Sequence, residues 1–143
     1  MLVSKIFNLK KNERRIFFEA AWTTLWVRII TTVFHIKHYT RWLGQSRLET
    51  DITTPSPHEK EQIIQVKAAI ARCRHLVWSR KCLVESIAAK RMLHRRNIQS
   101  TIYMGVAKND RGRMIAHAWL RSGNIWVSGG RNRQKYTIVG CFS

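Results

Sequence analysis

Apolar side chains recur at helical spacing through the first part of the chain and alternate with polar ones towards its end. A first helix is predicted from about Asn12 to Trp42, broken near His35 to His38. Within it, Ile16 to Phe34 is rich in apolar side chains but carries Glu19 and Arg28. Its helical wheel has a polar stripe at Thr24, Arg28, Thr31, Thr32 and His35. That stripe suits a helix packed on a domain, with Trp22 and Trp26 seated against it, better than a membrane span. No small-residue cleavage site follows, so no signal peptide is expected. The polar stretch from Gly44 to Pro57 is the expected linker. It separates a helical N-terminal region, 1–48, from a domain over 56–143.

Ser56-Pro57-His58-Glu59 has the form of a capping box with proline at the first helical position. The helix it opens places Ile63, Val66, Ile70, Cys73 and Val77 along one side. After a break at Trp78 and Ser79, a third helix is predicted from about Lys81 to Arg96. It buries Val84, Ile87, Ala88 and Met92 and ends at Asn97. The period then changes to two. Ser100 to Ala107 and Met114 to Arg121 read as strands around an Asn109-Asp110-Arg111-Gly112 turn. Ser122-Gly123 predicts a hairpin turn and Asn124 to Ser128 the returning strand. A last strand, Tyr136 to Phe142, follows Gly129-Gly130. Helices followed by a small antiparallel sheet predict an α+β domain.

Charge complicates this picture. Twenty-six Lys and Arg oppose eight Asp and Glu, a net charge of +18. That total suggests a nucleic-acid binder. Yet 45% of residues are hydrophobic and six are Trp, which excludes a disordered basic tail. No zinc-finger spacing, helix-turn-helix signature or RNP-like aromatic strand accompanies the charge, so no nucleic-acid partner is expected. The alternative to an enzyme is a basic binding module. It would hold nucleic acid through Arg72, Arg74, Arg80, Lys81, Arg91, Arg95 and Arg96. It would hold an anionic membrane surface through Trp22 and Trp26 with Lys5, Lys10, Lys11, Arg14, Arg15 and Arg28.

The candidate chemistry lies in the thiols. Three cysteines without framework spacing point to a reducing, cytoplasmic setting. With no CxxC pair, neither a structural zinc nor a cofactor is expected. Cys73 lies on the apolar side of a helix and Cys141 in an apolar strand, where thiols act as small hydrophobes. Cys82 falls in the first turn of the third helix, after Arg80 and Lys81. The helix dipole and the cations both favour thiolate, the nucleophilic form. An inert helix-start thiol has the same position, so a base must be found. Five of the six histidines, His35, His38, His58, His75 and His94, fall in basic helical or capping segments. His117, between Ala116 and Ala118 and before Trp119, sits on a strand. A nucleophile at a helix start with a base on a following strand is the arrangement of papain-like thiol enzymes.

The runs Trp78 to Val84, Ala89 to Ile98, Gly105-Val106 and Ala116-His117-Ala118-Trp119 together resemble one family. It is the transglutaminase-like leader peptidase of lasso peptide biosynthesis in its stand-alone form, equivalent to the C-terminal half of the fused B protein. The resemblance extends over Glu13 to Leu43, Val127 to Gly130 and Tyr136 to Val139. It implies a papain-like or transglutaminase-like cysteine hydrolase fold, with Cys82 as nucleophile and His117 as general base and then acid. It also implies three partners: a lasso precursor peptide, a leader-recognition (RRE) protein and an asparagine-synthetase-like lasso cyclase. Fused members complete the triad with an Asp on the strand after the histidine. Here no acidic residue follows Asp110. Counting back across a Ser122-Gly123 turn pairs Trp119 with Trp126 and His117 with Ser128. The orienting position therefore falls on Ser128 or the adjacent Gly129, with a hydroxyl or a backbone carbonyl in place of a carboxylate. Asp110 and Glu85 are the substitutes from elsewhere.

Overall fold

The computed structural model describes residues 9–35, 38, 43–79 and 81–143. Three helices, α1 (Lys11–Val33), α2 (Pro57–Cys73) and α3 (Cys82–His94), pack on one another. Four strands follow: β1 (Thr101–Lys108), β2 (Met114–Ser122), β3 (Ile125–Ser128) and β4 (Thr137–Phe142). They form one antiparallel sheet in the order β3-β2-β1-β4. The fold is α+β. The predicted continuation of the first helix through 36–37 and 39–42, and the cations Lys5 and Arg80, lie outside the described residues.

Local chemistry explains most boundaries. Ser56 and Glu59 form the reciprocal capping box, with Ser56 Oγ accepting from the Glu59 N–H and the Glu59 carboxylate accepting from the Ser56 N–H. α2 then buries Ile63, Val66, Ile70 and Cys73 as its spacing requires. Val77 leaves that line. The helix ends at Cys73, the chain turns, and Val77 stands 77% exposed in a 3-10 turn, Val77–Ser79. α3 ends on Asn97 in the left-handed region. Backbone bonds from Ile98 to Leu93 and from Asn97 to His94 close its last turn.

α1 turns differently from its polar stripe. It buries Ile16, Phe17, Ala20, Thr23, Thr24, Val27 and Ile30, and exposes Trp22 and Trp26. Thr24 can be buried because its hydroxyl donates to the Ala21 carbonyl one turn back, 2.9 Å away. Side chains from all three helices share one core with Ile102, Leu120 and Val127 of the sheet.

Two further expectations need correction. The hairpin turn is Gly123-Asn124, one residue later than predicted, with Ser122 facing Ile125. Gly123 adopts φ +53°, which favours glycine at that turn. A bulge between Leu120 and Arg121 then shifts the register, so that Ser128 faces Leu120 and not His117, and Trp126 faces Arg121 and not Trp119.

The stretch expected as a linker is tied along the sheet. Gln45 and Arg47 exchange backbone bonds with Ser143 and Cys141, and Thr50 bonds to Thr101. Arg121, 3% exposed, adds to this hold, because its buried guanidinium needs acceptors. Thr50 and Gly123 supply carbonyls at 2.8 and 2.7 Å, and the Tyr103 hydroxyl accepts from Nε at 2.9 Å.

Candidate active site

β2 carries His117 beyond the end of its partner. β3 pairs with β2 only as far as Leu120 and Ser128, so His117 has β1 on one side and, among the described residues, no strand on the other. Alternation places His117 on the same sheet face as Gly105, its cross-strand partner, and Trp119. Residues 118 and 120 point to the opposite face, where Leu120 joins the helical core. The imidazole packs against Trp119 and Tyr136, at ring-centroid distances of 5.7 and 5.0 Å. Gly105 leaves room for this cluster. A Cβ there would approach the Trp119 ring and Tyr136 to 2.7 and 2.8 Å.

The third edge of the ring is fixed by the backbone. His117 Nε2 lies 2.7 Å from the carbonyl oxygen of Gly129. A carbonyl only accepts, so Nε2 bears the hydrogen and Nδ1 keeps the lone pair. Gly129 reaches this place because it adopts φ +62° and passes close over β2. A Cβ on it would stand 2.4 Å from the Ala118 carbonyl oxygen. Ser128, one residue earlier, points elsewhere. Its hydroxyl is buried and lies 2.9 Å from that of Ser86 on α3. The orienting contact on His117 thus comes from the second of the two positions considered, and Ser128 braces α3 against β3.

Cys82 opens α3, with Lys81 as an extended N-cap, and is half-buried. The first backbone N–H groups of a helix lack intrahelical acceptors, and Cys82 contributes one of them. Glu85 follows three residues later on the same side of the helix. It is 5% exposed, and both its oxygens accept from Arg74 Nε at 3.1 Å. Burial pushes the Glu85 carboxyl above its usual range. Arg74 pulls the other way, and so, more weakly, does His117. Asp110, the other acidic candidate, is exposed in the β1–β2 turn. No hydrogen bond joins Cys82 Sγ to His117 among the described residues. Cys82 stands at the start of α3 and His117 on the free margin of β2, and these two elements pack on each other. Catalytic hydrogen bonds often close only on substrate.

The other thiols differ. Cys73 is fully buried at the end of α2, and burial first, with the Glu85 carboxylate second, pushes it up to about 12. Cys141 lies on β4, half-buried, facing Tyr103 across β1. Among the described residues no three His, Cys, Asp or Glu side chains gather as a metal site.

Sequence reasoning did not find Tyr136 as a wall of the imidazole, the Ser86 partner of Ser128, or the Arg74 pairing of Glu85. In comparisons with known proteins, a family model described as the transglutaminase-like superfamily matches residues 27–141. No curated protein and no solved structure matches.

Proposed function

Because the chain belongs to the transglutaminase-like superfamily, which includes cysteine peptidases and acyltransferases, we propose that it is the cysteine peptidase removing the leader from a lasso peptide precursor. The observation that carries the reading is the pinned His117 tautomer. With Nε2–H given to Gly129, Nδ1 is left as the free base on β2, a strand against which the helix that opens with Cys82 packs.

In this reading His117 Nδ1 takes the proton of the Cys82 thiol as Sγ attacks the scissile carbonyl carbon. The Cys82 N–H donates to the oxyanion. The tetrahedral intermediate collapses, the C–N bond breaks, and His117 returns the proton to the departing amine of the core peptide. Water then attacks the thioester, giving its proton to Nδ1, and Sγ leaves and is reprotonated. The Gly129 carbonyl holds the ring but supplies no full charge for the imidazolium. In this reading Glu85, one turn along α3 from Cys82, supplies the negative charge, damped by its pairing with Arg74.

A leader-recognition protein would deliver the precursor, and an asparagine-synthetase-like cyclase would use the freed amine, all in the cytoplasm. The nucleic-acid module has less support. Arg72, Arg74, Arg95 and Arg96, four of its seven cations, are paired with Glu13, Glu85 and Glu19. The test is reconstitution with a precursor and leader-recognition protein in ¹⁸O-labelled water. A released leader carrying one ¹⁸O at its new carboxylate supports the peptidase. Leader joined to an added amine would make the protein an acyltransferase, and an intact precursor would reject both.

A further inference from the structure

Helix α1 presents a stripe that the catalytic reading does not use. Lys11 and Arg15, then Phe18, Trp22, Trp26, Ile29 and Val33, follow one another at intervals of three and four residues and so share one side of the helix. All seven are exposed. The apolar five stand at 59%, 66%, 48%, 46% and 66%. From Phe18 to Val33 the stripe runs about 22 Å, at 1.5 Å per residue. A contiguous exposed apolar stripe, rimmed by polar residues, marks an interaction surface.

Charge names the occupant. Both carboxylates of α1 turn inward, Glu13 to Arg72 and Glu19 to Arg95 and Arg96. The outward side is left with Lys11 and Arg15 at its head, and Arg14 and Arg28 half-buried on one flank. Among the described residues none of these four makes an ion pair. An aromatic and aliphatic stripe beside unpaired cations fits the headgroup boundary of an anionic bilayer. A second copy of a chain with net charge +18 would instead bring like charges together. The helix is long and apolar enough to cross a membrane, but its inner side is packed and ion-paired to α2 and α3. It would therefore lie in the interface plane.

We propose that α1 seats the folded protein on an anionic lipid surface through Phe18, Trp22, Trp26, Ile29 and Val33, with Lys11 and Arg15 on the headgroups. This is independent of the peptidase reading, so Cys82→Ala protein binds as wild type does. The experiment is flotation of the full chain with phosphatidylcholine vesicles, with and without phosphatidylglycerol. Wild type should float only with phosphatidylglycerol, release as salt rises, and show a blue-shifted tryptophan emission. Trp22→Ser with Trp26→Ser should weaken binding at least tenfold with an unchanged melting curve. Lys11→Gln with Arg15→Gln should weaken it by roughly thirtyfold. If the tryptophan pair fails to fold, Ile29→Ser with Val33→Ser takes its place. No flotation with phosphatidylglycerol overturns the proposal. Binding undiminished by loss of the apolar stripe does so too, because it reports adsorption by net charge. A wild-type dimer that the tryptophan variant loses assigns the face to a second copy instead.

Discussion

The imidazole of His117 is held by the carbonyl of Gly129, 2.7 Å from Nε2. The contact depends on a residue without a side chain. Gly129→Ala would place a Cβ 2.4 Å from the Ala118 carbonyl oxygen, at a φ of +62°. It should cost about 2 kcal/mol of stability and lower activity more than tenfold. Thermal melts and cleavage rates check it. An alanine variant with wild-type rate would show that the carbonyl does not orient the ring.

Ser86 and Ser128 couple α3 to β3. Removing either hydroxyl leaves the other buried without its partner, at about 1–2 kcal/mol. Removing both should cost clearly less than the sum. Urea denaturation of Ser86→Ala, Ser128→Ala and the double variant tests this, and strictly additive losses would contradict the coupling.

Lys90 offers a pH signature. Its ammonium donates to the Ser100 carbonyl at 2.6 Å, and burial lowers its pKa from 10.5 to about 8. Between those values the unfolded chain holds a proton that the folded one has lost, so stability rises with pH across that window. Screening by solvent reduces the contribution to about 1 kcal/mol. The stability of Lys90→Met relative to wild type should therefore fall by that amount from pH 8 to 10.5. A constant difference would place Lys90 in an ordinary solvated setting.

Thiol labelling separates the cysteines. Cys73 is fully buried and pushed up to about 12. Iodoacetamide on the native protein should modify Cys82 at least about a hundredfold faster than Cys73. Peptide mapping reads the result, and equal rates would mean that α2 opens readily or that Cys82 is shielded.

Much of this architecture was legible because its signals are local. The capping box at Ser56 to Glu59, the apolar side of α2 as far as Cys73, and the change from period 3.6 to period 2 after Asn97 each depend on neighbours in sequence. The site was less legible because it depends on register. One bulge after Leu120 and a turn displaced by one residue move Ser128 away from His117, and alternating strand positions do not encode either shift. The orientation of α1 was hidden for another reason. Threonine hydroxyls that bond their own helix can be buried, as Thr24 shows, and this frees the tryptophans to face outward. Arg121 is similar. Its burial follows from carbonyls at Thr50 and Gly123, far apart in sequence.

The most direct test of the peptidase is the Cys82→Ala variant, compared with wild type by mass spectrometry of a precursor with its leader-recognition protein. Folding is monitored in parallel by circular dichroism. The account predicts that leader release falls by about 10⁴-fold or more with the fold intact. Release at the wild-type rate would show that Cys82 is not the nucleophile.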